Sequence, residues 1–286
     1  LRQVTDRFVF LEEGDLVEIS SASYSIFDQS GSEVKRPIKQ LDEKDLIAEK
    51  GQYRHFMQKE IFEQPTVLAN TTAGRIAADH IREAIFGYQA EALFAQTNNI
   101  HIVACGTSFH SGLVAKYWLE EHAGVPCQVE VASEYRYRTV PVPAGTLFVT
   151  ISQSGETADT LAALRYVKDR VAKTIAVVNV STSSIAREVD APLPLHAGPE
   201  IGVASTKAFT AQLLVLALLA LKAGMDRGQL DAVTCSQHIS TLQSVPEYMT
   251  QALNHDEDYR RIAETLASHD DVLFLGRGLM YTLALE

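Results

Sequence analysis

A doubly wound α/β fold, a parallel sheet with flanking helices behind a short β segment, is the architecture that these 286 residues predict. Three observations carry the prediction. From residue 78 onward, runs of strand character alternate with runs of helical periodicity. The strand runs are apolar on both faces, as in sheets covered by helices on both sides. Two short polar loops, Cys105-Gly106-Thr107-Ser108 and Ser152-Gln153-Ser154-Gly155-Glu156-Thr157, each follow an apolar strand and open a helical pattern. In such sheets the crevice at the carboxyl ends of the strands is where ligands bind.

Taken in order, residues 7–35 read as antiparallel β structure. Phe8–Leu11, Leu16–Ile19 and Tyr24–Phe27 are short apolar runs, separated by Glu13-Gly14-Asp15 and Ser20–Ser23 and followed by Gln29–Ser32. This piece is too small to be an independent fold. Charge is dense from Asp42 to Arg54, which places a linker there. Phe56, Met57, Ile61 and Phe62 follow at helical spacing, and Pro65 is expected to end or kink that helix. A helix through Ile81, Ala84, Ile85, Tyr88 and Leu93 leads into a strand at 100–104, then a helix at 108–123. Strands at 127–131 and 146–151, a helix at 156–168, a strand at 174–178 and a weaker one at 192–195 continue the alternation. The helix at 208–222 contains the longest apolar run, Leu213–Leu221. That run is well short of the ~20 residues that cross a bilayer, so it reads as a buried helix. Helical pattern persists through Leu242, Met249, Ile262 and Leu266. Val272–Leu275 then reads as a new strand, with Gly276-Arg277-Gly278 and a helical start behind it. This repeats the order seen from Ile102 to Gly112, so a second, similar domain is expected to begin near residue 255. The resulting division is 1–45, 46–77, 78–225 and 226–286.

Composition narrows the function. A net charge of -11 argues against general nucleic-acid binding and against docking on anionic lipid. Cys105, Cys127 and Cys235 are widely spaced and form no metal pattern, which reads as reduced thiols in a cytoplasmic protein. The chain begins Leu1-Arg2 without an initiator methionine and stops at Glu286 inside a helical pattern, so it is read as a piece of a larger protein.

The polar loops carry the chemistry. Hydroxyls and unpaired N–H groups gathered where a strand turns into a helix make an anion site, because the helix N-terminus is the positive end of its dipole. Neither loop contains Lys or Arg, so the expected ligand is a phosphate on a small exchanging metabolite. The plain alternative for Cys105–Ser108 is a capping turn. For Ser152–Thr157 that alternative is weaker, since capping needs one hydroxyl and Ser152, Ser154 and Thr157 supply three. A third loop, Gly198–Lys207, has glycines for close backbone approach, and Ser205 or Thr206 could cap the next helix. Lys207 could form a Schiff base if burial lowered its pKa, but a first-turn lysine covering apolar surface is the favoured reading. His110, His122 and His196 have no paired carboxylate or metal-ligand spacing and read as structural or solvated. No Walker loop, dinucleotide fingerprint or Ser-His-Asp order is present.

Ala104–Ser108, Ser152–Thr160 and Glu200–Phe209 together resemble the sugar isomerase (SIS) domain, flavodoxin-like in fold, of the glucosamine-6-phosphate synthase family, the isomerising glutamine:fructose-6-phosphate aminotransferases. Upstream, Phe10–Asp15 resembles the end of that family's glutaminase domain and Tyr53–Pro65 its interdomain linker. The resemblance implies that residues 1–45 are a glutaminase remnant, 46–77 linker and helix, 78–225 a first SIS domain and 226–286 the start of a second. It implies binding of fructose 6-phosphate, with Ser108, Ser152, Gln153, Ser154 and Thr157 on the phosphate, and Thr107, Val203 and Ser205 lining the sugar. It further implies a homodimer in hexosamine biosynthesis, no metal and no cofactor, with the catalytic groups beyond both ends of this sequence and none within it. Two other readings stand beside it. One is a non-catalytic sugar-phosphate sensor, which would need a basic helix-turn-helix that residues 1–72 do not offer. The other is a single-domain phosphosugar isomerase, which would lack the glutaminase-like tail.

Overall fold

A computed structural model describes residues 5, 7–40, 49–77, 79–87 and 90–286, and the chain falls into two units, Leu1–Gly51 and Gln52–Glu286. Much of the charged stretch at 42–54, together with Tyr88, lies outside the described residues. In the first unit, β1 (Arg7–Val9), β2 (Leu16–Ile19), β3 (Tyr24–Phe27), β4 (Glu33–Val34) and β5 (Ile38–Gln40) make two small antiparallel sheets. One is the β2-β3-β4 meander and the other the β1-β5 pair. The Asp28 carboxylate accepts the Ser30 and Ser32 amides and sets the β3-β4 turn. Arg36 clamps Asp15 through two bonds of 3.0 and 2.8 Å, and it holds that carboxyl below the usual range.

The second unit opens with α1 (Phe56–Thr72), which continues past Pro65. Pro65 does not end the helix, and the reason is local. Proline removes the amide that would bond Ile61, and the Gln64 side-chain amide donates to that carbonyl instead, at 2.9 Å. The single helix expected across 81–93 is also divided. β6 (Ile76–Ala77) and β7 (His80–Ile81) form a hairpin and a 3-10 turn covers Glu83–Phe86. Gly87 then turns left-handed at φ 88° before α2 (Ala90–Gln96).

The sheet follows as the alternation predicts. β8 (Asn99–Ala104), α3 (Thr107–Ala123), β9 (Cys127–Val131), α4 (Ala132–Tyr135), β10 (Thr146–Ser152), α5 (Ala158–Val167), β11 (Lys173–Val178), α6 (Ser184–Glu188) and β12 (Ala191–Pro194) lead to α7 (Lys207–Asp226). All five strands are parallel, in the order β12-β11-β10-β8-β9. Alternate residues feed two cores. Ile102, Val149 and Val177 face α3 and α7, whereas Val103, Phe148, Ala176 and Val178 pack with Ala163, Leu164 and Val167 of α5. α7 is the one described helix long and apolar enough to cross a membrane, yet most of it is buried here as the central helix of one core layer. That burial is the one expected from the sequence.

α8 (Ala232–Leu253), α9 (Asp256–Leu266) and α10 (Leu279–Leu285) complete the chain. Val272–Leu275, expected to be a strand, is not one, and all four side chains are exposed. A strand needs an edge to pair with, and in the described residues nothing pairs with this segment.

Candidate functional site

β8 and β10 are neighbours in the sheet, but the chain leaves them in opposite directions, β8 towards β9 and β10 towards β11. That reversal opens a crevice at the carboxyl edge of the two strands. The first two polar loops leave from its two walls.

In the first loop the chain turns at Gly106 (φ 55°, ψ -139°), which is the N-cap of α3 and makes no side-chain cap bond. A backbone with this positive φ excludes ordinary side chains and leaves the following hydroxyls out of the cap. The Ser108 hydroxyl accepts from Gln212 Nε2 of α7 at 3.0 Å, and Ser111 Oγ donates to Gln212 Oε1 at 3.0 Å. Gln212 is fully buried, so the packing of α7 aims Ser108. The Thr107 hydroxyl donates to Glu286 Oε1 at 2.6 Å, and His110 Nδ1 lies 2.5 Å from Glu286 Oε2.

The second loop organises itself. Ser152 Oγ accepts the Gly155 amide at 3.0 Å and lies 2.9 Å from Thr157 Oγ1. Ser154 Oγ accepts the Glu156 amide at 3.2 Å. Gln153 is tied to the end of β11 through the Asn179 amide, which donates to its carbonyl at 3.1 Å. Gly155 sits at φ 66°, and a Cβ there would come within 2.0 Å of Ser183 Oγ, so the turn closes only around glycine. Thr157 is the N-cap of α5 but makes no side-chain cap bond, so its hydroxyl faces the serines. Ser152, Ser154 and Thr157 therefore gather beside the positive end of α5.

The third loop is built differently. The expected caps from Ser205 or Thr206 are not made. Glu200 does the work, its Oε1 accepting the amides of Thr206 and Ala208 at 3.0 and 3.1 Å and its Oε2 the Ser205 hydroxyl at 2.9 Å. Val203 is 106% exposed and stands on the surface. Lys207 is buried and pairs with Glu63 of α1 at 2.7 Å, which agrees with the structural reading of that lysine. The hydrogen bonds of this loop run to α1, α7 and Asn179, and Asn179 also donates its backbone amide to Gln153, which links the third loop to the second.

The hydroxyls of Ser108, Ser152, Ser154 and Thr157 are bonded to amides and other hydroxyls, whereas Thr107 and Ser205 donate to the carboxylates of Glu286 and Glu200. The four hydroxyls at the crevice turns are thus arranged to donate and accept hydrogen bonds, with neither histidine nor lysine among their described hydrogen-bond partners. Below the crevice, burial lowers the pKa of His101, whose Nδ1 lies 3.1 Å from the Tyr135 hydroxyl, and pushes that tyrosine up to about 12. Burial likewise lifts Cys127 to about 12, and all three cysteines are free thiols. Sequence reasoning missed Gln212, Glu200 and Glu286. A glutamine inside an otherwise apolar helix was the available sign for the first. Glu286 meets partners 176 and 179 residues away, beyond any local spacing rule, and Glu200 reaches residues five to eight positions on across an irregular loop, where no helical or strand period applies.

Comparison with known proteins fits this geometry. The family model of the SIS domain matches residues 93–222. The chain is 54% identical over 287 residues to the isomerizing glutamine–fructose-6-phosphate aminotransferase of Pseudomonas putida, covering 100% of this chain and 47% of that relative. Identity to the Acinetobacter baylyi protein of the same name is 47% over 292 residues, again covering 47% of the relative. The chain thus spans about half the length of the curated relatives it matches. Among solved structures, the C-terminal domain of glucosamine-fructose-6-phosphate aminotransferase from Francisella tularensis superposes with a TM-score of 0.80 at 44% identity. That match covers 83% of this chain and 67% of the other. A glucosamine-6-phosphate deaminase from Thermotoga maritima, 23% identical with a TM-score of 0.59 over 81% of this chain and 64% of that one, shares the fold.

Proposed function

We propose a function that proceeds from one fact: this chain belongs to the isomerizing glutamine–fructose-6-phosphate aminotransferase family and carries an SIS domain. The chain supplies the sugar-phosphate-binding part of an enzyme that makes glucosamine 6-phosphate and glutamate from fructose 6-phosphate and glutamine. The observation that supports this most directly is the convergence of Ser152, Ser154 and Thr157 at the N-terminus of α5, across the crevice from Thr107 and Ser108. Ser108, Ser152, Gln153, Ser154 and Thr157 hold the phosphate through neutral hydrogen bonds, and Thr107, Val203 and Ser205 approach the sugar. In this reading the residues of this chain bind and orient, and none of them is assigned a chemical step. Isothermal calorimetry with fructose 6-phosphate tests the site. Ser154→Ala should weaken binding by about 1 kcal/mol, the usual worth of one hydrogen bond, without unfolding the protein. Unchanged affinity would remove Ser154 from the site.

The protein works as a homodimer in the cytoplasm. The three free thiols fit that compartment. Tyr259, Ile262 and Leu266 form an exposed apolar stripe along α9, the kind of surface that finds a partner. Light scattering should give a dimer mass; a monomer mass unchanged by concentration would refute the assembly.

A further inference from the structure

Glu60 of α1 is a buried carboxylate, 2% exposed, with an unusual set of partners. Its Oε1 accepts the backbone amides of Ile201 and Gly202 at 2.5 and 3.1 Å, and Oε2 lies 3.2 Å from the Gly202 amide. A buried carboxylate is costly unless its hydrogen-bonding capacity is filled, and here two successive amides of one loop fill it. One turn further along α1, Glu63 takes the ammonium of Lys207, the first residue of α7. Glu200 then closes the far end by accepting the Thr206 and Ala208 amides. The segment from 200 to 207 is thereby fastened at both ends by carboxylates, two of them from a helix more than a hundred residues away in sequence. Between the fastenings stands Val203, fully exposed.

We propose that Glu60 is a positioning residue for sugar binding: it fixes the backbone at 201–202 so that Val203 and Ser205 are presented to the sugar end of the ligand. The inference rests on the sugar-phosphate reading of the site, and it is specific to the sugar end. The phosphate end depends on the Ser152–Thr157 turn, which holds its own shape.

Three variants separate the effects. Glu60→Ala removes the acceptor, and Glu60→Gln keeps one amide-accepting oxygen. Gly202→Ala leaves Glu60 in place but puts a Cβ within 2.5 Å of its Oε2, forcing the carboxylate off the loop. In the wild-type chain, the Ile201 and Gly202 amides should be protected from hydrogen exchange. That protection should be lost in Glu60→Ala and Gly202→Ala and partly kept in Glu60→Gln. Fructose 6-phosphate affinity should fall roughly tenfold in the first two, the size expected for losing charged hydrogen bonds, while affinity for inorganic phosphate stays within about twofold. Lost protection with unchanged fructose 6-phosphate affinity would overturn the positioning role. Equal losses for sugar phosphate and inorganic phosphate would overturn its confinement to the sugar end, and retained protection would overturn the fastening itself. Failure of the wild-type chain to bind fructose 6-phosphate would instead overturn the reading of the site. Should Glu60→Ala fail to fold, Gly202→Ala and Glu60→Gln carry the same comparison.

Discussion

Residues 99–123 and 272–285 have the same grammar, an apolar run, a glycine-bearing turn and a helix, yet they fold to different extents. The two turns agree closely. Gly106 takes φ 55° and ψ -139° ahead of α3, and Gly278 takes φ 60° and ψ -132° ahead of α10. The runs before them do not agree. Every residue of β8 is buried between two parallel neighbours, while Val272–Leu275 pairs with no strand among the described residues and faces solvent. A helix-starting turn is encoded by a few adjacent residues, because its bonds are local. A strand is only an offer of hydrogen bonds, and it becomes a strand when an edge accepts them.

Removing equivalent apolar groups from the two segments should have very different costs. Ile102→Ala in β8 should cost about 3 kcal/mol, since it empties fully buried volume under α3. Leu273→Ala, at a side chain 82% exposed, should change stability by less than about 0.5 kcal/mol. Urea unfolding measures both. A loss near 2 kcal/mol at Leu273 would show that this segment has a packing partner after all.

A smaller effect sharpens the same contrast through pH. His101 lies in β8, and burial lowers its pKa, as it also does at His122 and His196. The unfolded chain therefore takes up protons at these sites before the folded one does. Stability should be full above the ordinary histidine value of about 6.5 and decline as the pH falls below it. Thermal unfolding at pH 7.5 and 5.5 should show a lower midpoint at 5.5. A midpoint that holds or rises would mean that these imidazoles are not held neutral by the fold.

Much of the site was legible before any coordinates. Ser152, Ser154 and Thr157 are three hydroxyls in six residues, more than capping requires, and in the structure Ser152 meets Thr157 while Ser154 accepts the Glu156 amide. Ser108 was named, but its orientation was not, because that depends on Gln212 from a helix packed across the core. Val203 and Ser205 were drawn from resemblance, and the structure sets them on a loop fastened by Glu60 and Glu200. Pro65 does not end α1 because its broken bond is repaired by the side chain immediately before it.

Features that depend on near neighbours and on the period of apolar residues can be read from the amino-acid order alone. The short helices α4 and α6 were not expected, but the features read this way include the five parallel strands, α3 and α5, the burial of α7, and the two turns at the crevice. Each follows from side-chain alternation, helical spacing or the backbone freedom of glycine. Which apolar run finds a sheet edge, and which carboxylates take up loop amides, depends on how the elements pack in three dimensions. Val272–Leu275 and β8 carry similar side chains, so their fates turned on the presence of neighbouring strands. Glu60 and Glu200 look like ordinary charged residues in the sequence. The nearest partner of Glu60 is 141 residues away, and packing α1 against α7 brings it there; the partners of Glu200 are only five to eight residues away, but across an irregular loop where no helical or strand period applies.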